Sequence, residues 1–211
     1  MSETTVYVVD DDAAIRHSMR RLVESIGLAV EAFASAREFL ARFDPAVPGC
    51  VVLDVRMPEM SGLELQEELL ARGHRVPIIV VTGYADVPMA VRSMRAGAMD
   101  FIEKPFTPQT LLERIQRAVA KDAEARRTRA EQIDVERRIQ RLTPRELQVM
   151  DRVVAGRTSK NIAADLGLSP KTIHVHRAEM MAKMQAGSVA ELTRMVVTAR
   201  VQAEIVGSRA D

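Results

Sequence analysis

Five short apolar runs, separated by helical patterns, decide which architecture the first part of this chain can adopt. Each run has the length of a strand, and several are rich in valine and isoleucine: residues 5–9, 29–33, 50–53, 77–81 and 99–102. Strands that alternate with helices form a parallel sheet with helices on both faces. Five such units in about 120 residues predict a flavodoxin-like α/β domain, in which ligands bind outside the carboxyl ends of the strands.

Short polar motifs mark the starts of the intervening helices. Ser35 and Ser61 each stand three residues before a glutamate, which is the pattern of a capping box. Asp12 is expected to cap the first helix, and Pro108 suits the first position of a later one. These signals support the alternation of strands and helices independently of the apolar runs.

The chain is predicted to contain two domains joined by a helical linker. Residues 1–121 hold the strands, and residues 122–141 continue the last helix with many charged side chains and no glycine. Asp122, Arg126 and Arg129 interrupt the apolar seam of that helix, so a long coiled coil is not expected. Residues 142–211 show helical periodicity without a strand signal and begin at a capping box, which predicts an all-α second domain.

Charge and composition limit the partners and the location of the protein. Residues 1–121 contain seventeen acids and fourteen bases, a net −3, whereas residues 122–211 contain twelve acids and sixteen bases, a net +4. The basic second part favours a nucleic-acid partner. No apolar run approaches the roughly 18 residues of a membrane span, and the start lacks signal-peptide features, so we expect no membrane partner and a cytoplasmic location. The single cysteine, Cys50, is expected to be a buried reduced thiol.

Acidic, hydroxyl and lysine side chains follow four of the five predicted strands. Asp10 and Asp11 follow the first strand and Asp54 follows the third, while Thr82 and Lys104 follow the fourth and fifth. Because parallel strands end at one edge of the sheet, these side chains are expected to meet there. Gathered carboxylates repel one another unless a cation neutralises them. The sequence therefore predicts a site for Mg²⁺ or Mn²⁺, held by carboxylates, a backbone carbonyl and waters.

A carboxylate beside a divalent cation and a lysine can accept a phosphoryl group. Asp54 would be the nucleophile and become an aspartyl phosphate, while the cation and Lys104 neutralise the phosphoryl oxygens. A metal-dependent phosphatase that works through an aspartyl phosphate is an alternative. Such enzymes of the haloacid-dehalogenase type need a second aspartate two residues after the nucleophile, where this chain has Arg56. We therefore expect a protein that is not an enzyme.

Four motifs carry a resemblance to a known domain: "VVDDD", "VVLDVRMPEMSGLEL", "VTGYADVPMAV" and "AGAMDFIEKPF". In these motifs and their spacing, residues 1–121 resemble the receiver domain of two-component response regulators. The resemblance implies that Asp54 is the phosphoacceptor and that Asp10 and Asp11 hold the metal, together with Asp54 and the backbone carbonyl of Arg56.

The same resemblance implies how the phosphoryl group is read. Thr82 and Lys104 would bind the phosphoryl oxygens, and Phe101 would be the aromatic side chain that swings inward on activation. The surface around residues 86–102 and the final receiver helix would then change shape. The Lys104–Pro105 bond is expected to be cis.

Residues 158–184, "TSKNIAADLGLSPKTIHVHRAEMMAKM", predict a helix, a tight turn and a second helix. Ile162, Ala163 and Leu166 form an apolar face on the first helix, and Gly167 can close it in a left-handed conformation. Ser169 and Pro170 then begin the next helix. This arrangement is typical of a helix-turn-helix, whose second helix enters a DNA groove.

Residues 142–198 resemble the four-helix DNA-binding domain of LuxR/NarL type, so the chain as a whole resembles a response regulator of the NarL/FixJ family. The resemblance implies that a sensor histidine kinase phosphorylates Asp54 and that the protein then dimerises and binds promoter DNA, with RNA polymerase as a further partner. An atypical regulator that binds DNA without phosphorylation is the alternative. We expect His176 to make a packing contact. Base edges would be met by His174, Val175 and Ala178, and phosphates by Lys171, Thr172, Arg177 and Lys183.

Overall fold

Strands and helices alternate along the first unit of the chain in the computed structural model, which describes residues 4–83 and 87–207 and their side chains as far as residue 201. The strands are β1 (Thr5–Val9), β2 (Ala29–Phe33), β3 (Gly49–Asp54), β4 (Ile78–Thr82) and β5 (Asp100–Glu103). The helices are α1 (Ala13–Glu24), α2 (Ala36–Arg42), α3 (Gly62–Ala71), α4 (Val87–Arg95) and α5 (Pro108–Gln140).

All five strands are parallel and lie in the order β2-β1-β3-β4-β5, which confirms the predicted flavodoxin-like α/β fold. Three strands, β3, β4 and β5, end one residue later than the apolar runs indicated. Asp54 pairs with Val81, and Thr82 pairs with Glu103, so these polar residues belong to the sheet itself. Pairing with a neighbouring strand extends the ladder by one residue past the last apolar side chain.

The two faces of the sheet build separate apolar cores, as alternating side chains on a strand require. Val6 and Val8 of β1 pack on one face with residues of α1 and α5. Tyr7 and Val9 pack on the other face with residues of α2 and α3. Cys50 is buried in the first core, where burial raises the pKa of its thiol to about 12. Cys50 is thus the buried reduced thiol that the sequence predicts.

Helix α5 is tied to the loop before β3 by two charged residues. The buried Asp122 carboxylate accepts a hydrogen bond of 2.9 Å from the Gly49 backbone N–H and another of 2.7 Å from Arg126 Nε. The same Arg126 guanidinium donates to the backbone carbonyls of residues 45, 46 and 47. These residues interrupt the apolar seam because they bind the loop, and the first compact unit runs to Arg126.

In its described part, the second compact unit, Arg127–Asp211, contains helices joined by short loops. After the last turns of α5 it contains α6 (Pro144–Val154), α7 (Ser159–Leu166), α8 (Pro170–Met184) and α9 (Val189–Gly207). Thr143 forms both bonds of the predicted capping box with Glu146. Gly167 has a left-handed backbone with φ 65°, and Ser169 caps α8, as expected for a helix-turn-helix.

The core of the second unit includes a residue from the end of α5. Val135 is buried there, in one apolar cluster with Val149, Ile173 and Leu192. The last turns of α5 therefore pack as part of this unit, although their charged composition predicted a linker. In the described parts of the chain, none of the helices combines the length and the apolar character needed to cross a membrane.

Candidate phosphoacceptor site and DNA interface

Two carboxylates and a lysine meet at the carboxyl edge of the sheet. Asp10 directly follows β1 and Asp54 ends β3, and these two strands are neighbours. Lys104, after β5, places its Nζ 2.8 Å from Asp10 Oδ2 and 2.8 Å from Asp54 Oδ1. The Asp10 and Asp54 side chains are only 2% and 8% exposed. The predicted meeting of these three side chains is therefore present in the structure.

Burial and the neighbouring polar groups have opposite effects on the pKa values of Asp54 and Lys104. Burial raises the pKa of the Asp54 carboxyl, and the Asp10 carboxylate adds to the rise, while hydrogen bonds from Lys104 and from the Arg56 N–H oppose it. Burial alone lowers the pKa of Lys104, but the two carboxylates outweigh it and the pKa is raised. Lys104 thus stays protonated at neutral pH and neutralises part of the negative charge of the site.

The three consecutive aspartates after β1 have three different environments. Asp10 is buried, and its Oδ1 accepts a 2.9 Å hydrogen bond from the Asp12 N–H. Asp12 itself caps α1, as predicted, by accepting from the N–H groups of residues 14 and 15. Asp11 is exposed. Arg16, one turn into α1, donates 2.7 Å to the backbone carbonyl of Asp10 and so fixes the loop that presents the site.

The remaining predicted site residues lie around this cluster. Thr82 is buried at the end of β4, where its backbone carbonyl accepts a 2.8 Å hydrogen bond from the Lys104 N–H. The Lys104–Pro105 bond is cis, as predicted. Phe101 is half-buried on β5 and packs against the core of the first unit. The Arg56 side chain is exposed beside the site.

The donor set fits a hard divalent cation. Asp10 and Asp54 bring two carboxylates to one point, and within residues 4–83 and 87–201 no cluster of three or more His, Cys, Asp or Glu side chains is placed to hold a metal ion. A cage of protein ligands of the zinc type is thus absent from that part of the chain. Mg²⁺ instead uses one or two carboxylates and keeps several waters, which these two residues allow.

Gly62, at the start of α3, leaves room for the backbone of the site. A Cβ at this position would lie 2.1 Å from the Asp54 carbonyl oxygen. We expect Gly62→Ala to lower the free energy of unfolding by about 1–2 kcal/mol, because the clash is with backbone that cannot rotate away. It should also slow phosphorylation by acetyl phosphate, since Asp54 must shift.

Urea unfolding and intact-mass spectrometry would measure the two effects of Gly62→Ala. Gly83→Ala is the matched control, because among the described residues no atom lies within 4 Å of its added Cβ and its φ is unstrained. Equal unfolding free energies and equal phosphorylation rates for the two variants would contradict the close approach of Gly62 to Asp54.

The recognition helix α8 is held by charged contacts with its neighbours. Arg177 Nη1 donates 2.7 Å to Ser159 Oγ on α7. Lys183 Nζ lies 2.7 Å from both carboxylate oxygens of Glu146, which is buried at the start of α6. The Lys183 ammonium therefore has an intramolecular carboxylate as its partner, with which a DNA phosphate would compete.

The outer face of α8 carries the residues predicted to read DNA. Lys171, His174, Val175 and Ala178 are exposed, at helical spacings of three and four that place them on one side. Thr172 lies half-buried near the start of the helix, where its N–H donates to Ser169 Oγ. His176 is half-buried on another side of the helix, as a packing residue would be.

Two residues of these sites escaped sequence reasoning. Arg16 is one of three arginines in the stretch that forms α1, and only its place one turn after the cap of that helix could have indicated contact with Asp10. The sequence predicts the part of Glu146 in the cap of α6, but its bond to Lys183 joins residues that are 37 positions apart. Nothing in the spacing of the sequence indicates that pair.

A buried Asp–Asp–Lys cluster on a flavodoxin-like sheet, followed by a helix-turn-helix unit, defines a phosphoacceptor protein with a DNA-binding domain. Residues 6–116 match the family described as response regulator receiver domain, and residues 140–196 match bacterial regulatory proteins of the luxR family. The chain belongs to the response-regulator family, as a FixJ-like member with a receiver and a LuxR-type domain. It is a phosphorylation-controlled transcriptional regulator, and its family is not one of enzymes.

Similar proteins match along most of the chain. The transcriptional regulatory protein FixJ of Azorhizobium caulinodans is 47% identical over 196 residues, which cover 93% of each chain. The low-resolution structure of the response regulator StyR is 43% identical with a TM-score of 0.84, covering 92% of this chain and 98% of that one. The structure of full-length FixJ from B. japonicum is 42% identical with a TM-score of 0.59, covering 95% and 99%.

Proposed function

We propose that Asp54 accepts the phosphoryl group of a sensor histidine kinase in the cytoplasm. The observation that carries the proposal is the buried contact of Asp54 with Asp10 and Lys104. An Asp54 carboxylate oxygen forms the new P–O bond while the P–N bond of the phosphohistidine breaks, and the histidine nitrogen keeps the electron pair. Lys104 and Thr82 bind the charged phosphoryl oxygens as the group is transferred to Asp54.

Mg²⁺ or Mn²⁺ would be held by carboxylates of the same cluster and one carbonyl. Asp10 and Asp54 fit this role by burial and proximity. The proposed set also includes the backbone carbonyl of Arg56 and Asp11, whose exposed side chain would have to turn toward the ion, because the described residues do not group three such carboxylates. When bound, the ion neutralises phosphoryl oxygens that would otherwise be repelled by the carboxylates. Arg16 and Asp12 keep Asp10 in place through its carbonyl and its Oδ1.

Phosphorylation would change the surface formed by α4, β5 and α5. Thr82 and Phe101 move inward toward the new phosphoryl group, and the surface of residues 87–102 changes shape. Asp86 belongs to the surface predicted from the sequence and lies outside the described residues. Val87, Val91 and Met94 of α4 are exposed, which supports this surface as a contact between two copies of the chain. A two-fold dimer then matches a DNA site with two half-sites.

The proposed DNA contacts follow the outer face of α8. His174, Val175 and Ala178 would meet base edges, and the exposed Lys171, with Thr172 and Arg177, would bind phosphates. The Lys183 ammonium already donates to both carboxylate oxygens of Glu146, so a phosphate would compete for its charge and we expect it to contribute least of this set. Contact with RNA polymerase is part of the same proposal, through surfaces outside α8.

Light scattering of the full chain with Mg²⁺, before and after beryllium fluoride as an aspartyl-phosphate mimic, tests the proposed switch. We expect a monomer to become a dimer and promoter DNA to bind more tightly. A constant mass, once binding of the mimic is confirmed, would remove dimerisation from the proposal. Equally tight DNA binding with and without the mimic would favour the alternative, a regulator that binds DNA independently of phosphorylation.

A further inference from the structure

We infer that Arg138, on the last turns of α5, positions the recognition helix α8 for DNA binding; the inference rests on the proposed DNA contacts of that helix. Arg138 Nη1 donates 2.9 Å to the backbone carbonyl of Met184, the last residue of α8. Its Nη2 donates to the Asp134 carboxylate one turn back on α5. One guanidinium thus joins the end of α8 to the end of α5.

The chemistry of a helix end explains why an arginine suits this place. The last carbonyls of a helix lack partners within the helix and carry its partial negative charge. A guanidinium donates from two directions in a rigid plane, so it can bind Met184 and Asp134 at the same time. The Arg138 side chain is only 19% exposed, and among the described residues its Nε is buried without a hydrogen-bond partner. Burial and two hydrogen bonds thus restrict the orientation of the guanidinium.

In the described part of the chain, three cationic side chains tie α8 to other helices, and one of these side chains comes from α5. Arg177 ties α8 to α7 through Ser159, and Lys183 ties it to α6 through Glu146. Arg138 comes from α5, two residues before the stretch that matches the luxR family. The buried Val135 secures the same turn of α5 in the core of this unit. The end of α5 therefore helps to orient α8, together with α6 and α7.

Arg138→Met tests this inference, because methionine keeps much of the apolar stem but removes the donors. Binding would be measured with the full chain, Mg²⁺ and beryllium fluoride, on two duplexes. One duplex is selected from a random-sequence pool by the wild type, and the other is its scrambled version. We expect the variant to lose about tenfold in affinity for the selected duplex and to keep its affinity for the scrambled one. Phosphate contacts carry no sequence information, so only a misplaced recognition helix lowers the first affinity selectively.

Two further variants separate positioning from other roles. Arg137→Met removes an exposed arginine one residue away and should bind both duplexes like the wild type. Arg138→Lys keeps the charge but cannot bind Met184 and Asp134 as a fork, so it should recover part of the selective loss. Circular dichroism at the temperature of the binding assay would establish that each variant is folded.

The possible outcomes lead to different conclusions. Selective loss in Arg138→Met with partial recovery in Arg138→Lys supports the inference. Unchanged affinity of Arg138→Met for the selected duplex would overturn the inference. Equal loss on both duplexes in a folded variant would also overturn it, because that result would assign Arg138 to a phosphate contact. A wild type that selects no sequence at all would contradict the proposed DNA role itself, which is a separate failure.

Discussion

Asp54→Asn is expected to abolish the formation of an acyl phosphate and every response that depends on it. The amide that replaces the carboxylate is not a nucleophile toward phosphorus, so no phosphoryl group can be held at this point of the site. Intact-mass spectrometry after incubation with acetyl phosphate and Mg²⁺ should show one added phosphoryl group on the wild type and none on the variant. Light scattering should likewise show no phosphodonor-dependent dimer.

Asp12→Asn provides a matched control for the loss of a carboxylate. It removes the same charge two residues from Asp10, but an asparagine caps a helix as well as an aspartate does. Asp12 is exposed and serves α1 through its side chain, so phosphorylation and dimerisation should persist. Retained phosphodonor-dependent dimerisation in Asp54→Asn would remove Asp54 from the role of acceptor. Equal loss in both variants would mean that charge at the sheet edge matters rather than one nucleophile.

The parts of the site that the sequence predicted share one cause. Asp10, Asp54, Thr82 and Lys104 are each the last residue of a strand or close behind one, and parallel strands must end at the same edge. The parallel arrangement of the strands was therefore enough to predict that these side chains lie close together. The capping residues Asp12, Ser61 and Thr143 were predictable for a similar reason, since a cap acts within three residues of itself.

Contacts between distant polar residues could not be predicted in the same way. Asp122 and Arg126 interrupt an apolar seam, and their partner is a loop more than seventy residues earlier in the chain. Gln66 of α3 is 1% exposed and donates to the backbone carbonyl of the buried Ser93 on α4. Helical periodicity predicts that polar residues face solvent. It therefore cannot predict polar residues that are buried and bound to each other.

The boundary between the two units could not be predicted from the sequence either. Charge composition predicts a linker over residues 122–141, whereas the chain divides into its two compact units after Arg126, and the core of the second unit includes Val135. A single buried valine in a strongly charged helix gives no periodic signal. On either side of this boundary an arginine binds its own unit, Arg126 in the first and Arg138 in the second.

Lys183→Met is expected to destabilise the second unit at neutral pH, because it leaves the carboxylate of Glu146 buried without its cation. Because Lys183 is 38% exposed, the loss is expected to be smaller than for a fully buried ion pair. We expect the free energy of unfolding to fall by about 2–3 kcal/mol. Lys171→Met is the matched control, since Lys171 is an exposed lysine on the same helix. Hydrogen exchange of the amides of α6 and α8 would measure the loss in this unit alone.

The pH dependence of that loss identifies the charge responsible. Burial by itself raises the pKa of Glu146, but hydrogen bonds from Lys183 and Thr143 outweigh it, so the folded pKa lies below the ordinary value. In the wild type this carboxylate therefore adds stability above its unfolded pKa, and that stability is lost as the pH falls through the folded pKa. In Lys183→Met only burial and the cap remain, so Glu146 takes up a proton at a higher pH and the buried charge disappears. The stability difference from the wild type should therefore shrink on acidification, and a difference that stays constant would assign the loss to packing of the lysine stem instead.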